Sequence, residues 1–451
     1  MNKTLDKTYK FAFAYAIFFI LIGCMLSKPE EIISGFMEIF WANDILITDY
    51  FYIVGIGPAL VNVGVVTFTT VFIMYINKIS LNGGGILTIG LMSGFSFFGK
   101  NIFNMWFIIL GTFIFCIINK EKFSKYAIIS LLSTALAPLI STTFFYEGHL
   151  RLEHVVTSVV CGIIIGFVMP LLAAHTDKLL HGLSLYNGGF AIGLLALIMV
   201  PLLKSYGYEF NTVLKWSTGY NFQISIVLYT VCVMIVVWGL LSDKKNAWNN
   251  YKNILKRPGS PTHDFTVLDG MPAVLINIGI NGIIATTYII IIGGDLNGPT
   301  IGGILTVMGF GAKGKHAKNI IPVMLGIAIG GITKQWTPNS PTAQLAALFG
   351  TTLAPVAGTY GFIAGVFAGF IHSSVTLHAG LGYSGVNLYN NGFAGGIVSI
   401  VMYPILSRYI KPNVYSDPSP SMMMSELKNI DKISKMEDEL SKMEKELSNI
   451  L

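Results

Sequence analysis

The sequence predicts an all-α polytopic membrane protein. It is built from two homologous repeats of opposite orientation, with glycine-rich broken or re-entrant helices and about 12–14 membrane segments. Three observations predict this: a scarcity of charge, a succession of apolar runs, and a chain that contains itself twice. Of 451 residues, 53% are hydrophobic and 12% are charged. A soluble domain carries about 25% charged residues. Runs near the ~20 residues needed to cross a ~30 Å hydrocarbon core recur along almost the whole length. The net charge of +6 resides mainly in tails and short loops, where it reads as a topology signal and gives no indication of nucleic acid. Cys24, Cys116, Cys161 and Cys232 all lie in apolar runs without a CxxC pair, so no disulfide framework, metal site or cofactor is expected.

The duplication is most visible between residues 161–204 and 364–407, which share 15 of 44 positions without a gap. "LYNGGFA" at Leu185–Ala191 returns as "LYNNGFA" at Leu388–Ala394. Upstream and in the same order, "STALAPL" (Ser133–Leu139) answers "GTTLAPV" (Gly350–Val356), and "LNGGGILT" (Leu81–Thr88) answers "LNGPTIGGILT" (Leu296–Thr306). "VNVG" (Val61–Gly64) answers "INIG" (Ile276–Gly279), and "GKNI" (Gly99–Ile102) answers "AKNI" (Ala317–Ile320).

The elements follow in order. Residues 1–48 hold a retained first helix and an acidic loop with Glu30, Glu31 and Asp44; Lys3, Lys7 and Lys10 place the N-terminus in the cytoplasm. Repeat one, residues 49–209, has spans near Asp49–Ile76, Ser80–Phe98, Asn101–Ile118, Ile128–Phe145, Val155–Ala174 and Leu185–Leu203. Residues 210–268 add a helix at Ile224–Leu241 and the most basic loop, Asp243–Arg257, also cytoplasmic. Repeat two covers residues 269–410 and starts on the side opposite to repeat one. With the first helix in one half and Ile224–Leu241 in the other, each half has about seven spans. Residues 411–451 form a cytoplasmic linker and a short coiled-coil-like helix, Ile433–Leu451, whose a/d positions leave a homo-oligomer open.

The repeated phrases carry the candidate site. Tyr186, Asn187 and Gly188, with Tyr389, Asn390 and Asn391, open two apolar helices that start inside the protein. Asparagine suits an N-cap, satisfying N–H groups that lipid would leave bare. Two such starts directed inward from opposite sides would point their positive ends at one central spot. Asn82 with Thr88, and Asn297 with Thr306, repeat the arrangement around glycines. For any one of these residues packing or capping is the ordinary role, whereas irregular backbone at membrane depth is tolerated chiefly around cavities. Lys100–Asn101 and Lys318–Asn319 hold matching places and read as interfacial turns or as charges lining a vestibule. His175 and His378 match near helix ends. His372 and His316 have no counterpart. Acidic residues inside apolar runs are scarce, with Asp295 the main exception, so a carboxylate-coupled carrier is not indicated.

On the paired Leu-Tyr-Asn-(Gly/Asn)-Gly-Phe-Ala phrase, the core from Asp49 to Tyr409 resembles a duplicated bacterial integral-membrane family of unknown function. Tyr186-Asn187-Gly188 and Tyr389-Asn390-Asn391 also resemble the aromatic-Asn-Gly phrase that opens a pore half-helix in urea transporters. Seven spans per half is similar in plan to uracil and sulfate carriers. That resemblance implies a broken third span at the substrate, where Leu81–Phe98 and Leu296–Gly311 stand.

The expected function is a transporter or channel-like facilitator in the cell membrane, moving a small polar or anionic solute between the repeats. The alternatives are an intramembrane serine enzyme around "GYSG" (Gly382–Gly385), with Ser384, His372 and His378, and a scaffold acting through the C-terminal tail. A non-enzymatic role is favoured because nothing in the sequence places a general base beside Ser384.

Overall fold

The computed structural model describes the backbone of residues 3–413 and side chains from residue 8 onward; the tail helix expected at 433–451 lies outside the described residues. Among the described residues the secondary structure is helical, apart from two isolated bridges. Ten helices form the first half: α1 (Lys3–Leu26), α2 (Pro29–Trp41), α3 (Tyr50–Val54), α4 (Ile56–Ile76), α5 (Gly83–Phe95), α6 (Trp106–Ile118), α7 (Ala127–Ser133), α8 (Ala137–Phe144), α9 (Leu152–Leu179) and α10 (Asn187–Ser205). Ten more follow in the same order: α11 (Asn221–Ser242), α12 (Ala247–Ile254), α13 (Phe265–Leu268), α14 (Met271–Ile291), α15 (Gly298–Gly309), α16 (Ala317–Thr333), α17 (Pro341–Gly350), α18 (Ala354–Tyr360), α19 (Phe362–Ala379) and α20 (Asn390–Tyr409).

Among the described residues, eight helical stretches are long and apolar enough to cross a membrane, and four shorter apolar helices accompany them. Their outward faces carry exposed Phe11, Leu21, Leu171, Ile198 and Ile363, apolar surface that a bilayer covers. The chain is a multi-pass membrane protein.

Two elements in each half are broken. α5, with 13 residues, and α15, with 12, reach only about two thirds of the way across a ~30 Å core at 1.5 Å per residue. Asn82 starts α5 by accepting from the N–H groups of Gly84 and Gly85 at 3.1 and 3.3 Å, and Asn297 starts α15 by accepting from Thr300 at 3.2 Å. The single span expected at Ile128–Phe145 is in fact α7 and α8, joined by a 3-10 turn at Thr134–Leu136. Its counterpart is broken by a 3-10 turn at Thr351–Leu353. Pro138 and Pro355 follow these turns, and a proline has no N–H to carry the helical ladder through.

Small residues set the close packing. A Cβ on Gly111 would lie 2.2 Å from the carbonyl oxygen of Ile163, and one on Gly166 1.8 Å from that of Ile108, so α6 and α9 touch backbone to backbone. The second half repeats this in α16 and α19: a Cβ on Gly326 would lie 1.9 Å from the Val366 carbonyl oxygen, and one on Gly369 2.1 Å from that of Val323. The two halves meet through α5 and α15. Gly90 faces Gly309, while Gly94, one turn further along α5, faces Gly302, nearer the start of α15. The two short helices therefore run antiparallel.

Gly111→Val and Gly326→Val should each destabilise the fold by about 1–3 kcal/mol through overpacking. Thermal unfolding of purified protein reads this directly. Ile198→Val, on an outward face 67% exposed, should leave the midpoint unchanged. Wild-type midpoints for both glycine variants would show that the close approach is dispensable.

Candidate functional site

The helix starts expected to meet do meet. A Cβ on Gly189 would lie 3.0 Å from Cα of Gly392, and one on Gly392 3.0 Å from Cα of Gly189. Phe190 and Phe393 stack across this junction at 5.8 Å. α10 and α20 begin at Asn187 and Asn390, with Tyr186 and Tyr389 in the preceding position and no side-chain cap from either tyrosine. Asn187 Oδ1 accepts the Gly188 N–H at 2.7 Å, in line with the expected capping, and both asparagines also hold neighbouring elements. Asn187 Nδ2 donates to Asp177 at 2.8 Å, and Asn390 Nδ2 donates to the Thr376 carbonyl at 2.9 Å. Asn82 and Asn297 cap α5 and α15 by side chain.

Each junction is reached by the opposite half. The Leu185 N–H donates to the Thr352 carbonyl at 2.9 Å, and the Leu388 N–H to the Ala135 carbonyl at 3.1 Å. The 3-10 turns thus present free carbonyls for the segment leading into the other half's interior helix. Gly99 and Gly314, at φ +96° and +95°, give the chain its turn after α5 and α15. The leucines pack against these turns: a Cβ on Gly99 or Gly314 would lie 2.5 Å from Leu388 or Leu185, respectively.

At these turns lie two lysines. Lys100 and Lys315 are both fully buried. Lys100 Nζ donates to the Tyr389 hydroxyl at 3.1 Å and lies 4.9 Å from that ring's centroid. Lys315 Nζ donates to the Tyr186 hydroxyl and, at 2.7 Å, to Thr351 Oγ1, with the Tyr186 centroid 4.6 Å away. Neither lysine forms a salt bridge among the described residues. The sequence match of Lys100–Asn101 to Lys318–Asn319 is three residues out of register with the structure. The counterpart of Lys100 is Lys315, at a spacing of 215 shared by Asn62 and Asn277 and by Asn104 and Asn319. Lys318 is exposed. The second "LNG…GGILT" carries an extra "PTI", the same three residues as the slide; the hydrogen bonds decide the register. Asn62 Nδ2 donates to the carbonyls of Ser96 and Lys100 at 2.8 and 2.9 Å, and Asn277 Nδ2 to those of Gly311 and Lys315, both at 2.7 Å.

Two cavities flank this centre. One, of 340 Å³, is lined by Tyr186, Asn187, Gly188, Tyr389 and Asn391, with Phe95 and Phe310 in its wall and Asp177, Pro261 and Lys313 also on its lining. The other, of 290 Å³, is lined by Asn390 and Asn391 with Leu46, Ile47 and Thr212. Leu46 and Ile47 precede the start of α4, whereas Gly84 of the first cavity follows its end. The 21 residues of α4 span about 31 Å. Phe349, Leu388 and Asn391 line both cavities.

The remaining expected site residues stand elsewhere. Thr88 and Thr306 bond back to the Gly84 and Gly302 carbonyls of their own helices at 2.8 and 2.9 Å and, with Asn82 and Asn297, line neither cavity. Asp295 accepts from the Trp216 indole N–H at 3.0 Å. His175 and His378 are exposed. His372 is fully buried; its Nε2 lies 3.0 Å from Asn391 Oδ1, and its Nδ1 has no hydrogen-bond partner among the described residues. Three carboxylates in short polar loops escaped the sequence reading; Asp44 and Asp49 are buried and Asp264 is half-buried. Asp44 accepts from Tyr50, Asn101, Asn104 and Ser141. Asp49 accepts from Ser217, and Asp264 takes the first N–H of α5, at Gly83. No group of three or more His, Cys, Asp or Glu residues that could hold a metal occurs among the described residues.

Asn62→Leu and Asn277→Leu should each destabilise the protein by about 1–3 kcal/mol, since two buried carbonyls lose their donor. Asn187→Leu, whose bond to Asp177 is exposed, should cost less. Thermal unfolding of the three variants side by side checks the order.

No match was found among curated proteins or solved structures. A family described as protein of unknown function (DUF1576) matches twice, over residues 28–205 and 243–408. The two matches cover most of the chain and agree with its internal duplication, and the chain belongs to this family.

Proposed function

We propose that this protein is a transporter or channel-like facilitator that moves a small polar or anionic solute through a site between two inverted repeats. One observation carries the reading: two cavities share the wall formed by Phe349, Leu388 and Asn391. That is the form of two vestibules separated by a thin barrier, with the interior starts of α10 and α20 beside it. The antiparallel packing of α5 on its counterpart α15 supports the inversion, because equivalent helices run in opposite directions. The basic residues favour cytoplasmic N- and C-termini in a cell membrane.

An enzymatic reading has less support. The Ser384 hydroxyl accepts from Lys204 at 2.9 Å, whereas His372 faces Asn391 and His378 bonds the Ser374 carbonyl at 2.8 Å.

Proteoliposomes should take up at least one member of a labelled panel of urea, nucleobases, inorganic anions and amino acids. A chain ending before Ser421 should keep that uptake, whereas a scaffold acting through its tail would lose its partner. The double variant Asn187→Leu/Asn390→Leu should fold and lose at least nine tenths of the rate, as expected when about 1.4 kcal/mol or more of barrier lowering is removed. Undiminished uptake in that variant would remove the asparagines from the pathway.

A further inference from the structure

The geometry points to an anion as the solute, held between the two buried lysine–tyrosine pairs; this deepens the transport reading and rests on it. A charge moved out of water is costly unless it is paired. Lys100 and Lys315 are both fully buried with no carboxylate partner among the described residues. Their surroundings supply a phenol oxygen and aromatic faces, which offset part of the cost and add no negative charge. For Lys100 the rings are Tyr389 and Phe95, at 4.9 and 5.6 Å; for Lys315 they are Tyr186 and Phe310, at 4.6 and 4.8 Å.

The two pairs belong to one place. All four of those rings line the same 340 Å³ cavity. The tyrosines immediately precede α10 and α20, whose first turns touch at Gly189 and Gly392. Each phenol accepts from a lysine, and Tyr186 also hydrogen-bonds with Thr351. Tyr389 has no further hydrogen-bond partner among the described residues, which leaves its phenolic hydrogen for a ligand in the cavity. A hydroxyl backed by an ammonium group is a donor suited to negative charge. The positive ends of α10 and α20 act in the same sense. The one carboxylate on the cavity wall, Asp177, is engaged by Asn187. An anion held against Tyr186 and Tyr389 would favour the charged form of two lysines that have no carboxylate partner among the described residues.

Binding is read without transport by thermal unfolding of the purified full chain in sodium chloride, nitrate, formate or sulfate, against gluconate at equal ionic strength. At least one small anion should raise the midpoint, because a ligand that binds only the folded state stabilises it. Lys100→Met and Lys315→Met should each weaken the apparent affinity about ten-fold or more. Tyr186→Phe and Tyr389→Phe, which keep ring and lysine, should weaken it as well, and Lys318→Met, on the surface, should not. No stabilisation of the wild type by any of the four ions, or an unaltered response in both lysine variants, overturns the assignment. Uptake of urea or a nucleobase with exclusion of all four anions also overturns it, while leaving the transport reading intact. Anion stabilisation without passage of any solute supports the site and overturns transport.

Discussion

A helix that ends inside a bilayer must give its free backbone groups partners, because no water is there to do so. The structure follows from this constraint. α5 and α15 stop short, and the carbonyls at their ends are taken by Asn62 and Asn277 from the preceding long helices. Their N-terminal ends are served by Asn82 and Asn297, and Asp264 takes the Gly83 N–H. Each break in the apolar ladder therefore has a designated polar side chain; Asn62, Asn277 and Asn297 are buried, and Asn82 and Asp264 half-buried.

Reciprocity between the halves comes from the same need. The 3-10 turns free a carbonyl at Ala135 and another at Thr352, and each is filled by the N–H leading into the other half's interior helix. Asp264 of the second half bonds the start of α5 in the first, and Asp49 of the first stands against Gly298 at the start of α15. Lys100 reaches Tyr389, and Lys315 reaches Tyr186. Neither half could satisfy its own centre, so the duplication is a working part of the fold.

The departures from symmetry are as informative as the matches. Asp44, with its four donors, corresponds to Gly259, and both residues take positive φ. Buried His372 pairs with half-buried Asn391 in the second half, where the first half has Met169 and Gly188. The wall common to both cavities thus has one polar member, Asn391.

The sequence by itself determined the membrane class, the duplication and the interior helix starts, because hydropathy and repeated motifs are local properties of the chain. Of the residues it singled out, Tyr186, Asn187, Gly188, Tyr389, Asn390 and Asn391 line the two cavities, and Asn82, Thr88, Asn297 and Thr306 do not. Only the tertiary structure decided the true partner of Lys100, since "GKNI" and "AKNI" match in letters and the hydrogen bonds of Asn62 and Asn277 match in space. The break at Thr134–Leu136, the burial of Asp44 and the pairing of lysine with tyrosine across 289 residues were equally illegible. Each is set by which backbone group of one half is left unpaired beside a side chain of the other, and sequence separation carries no record of that.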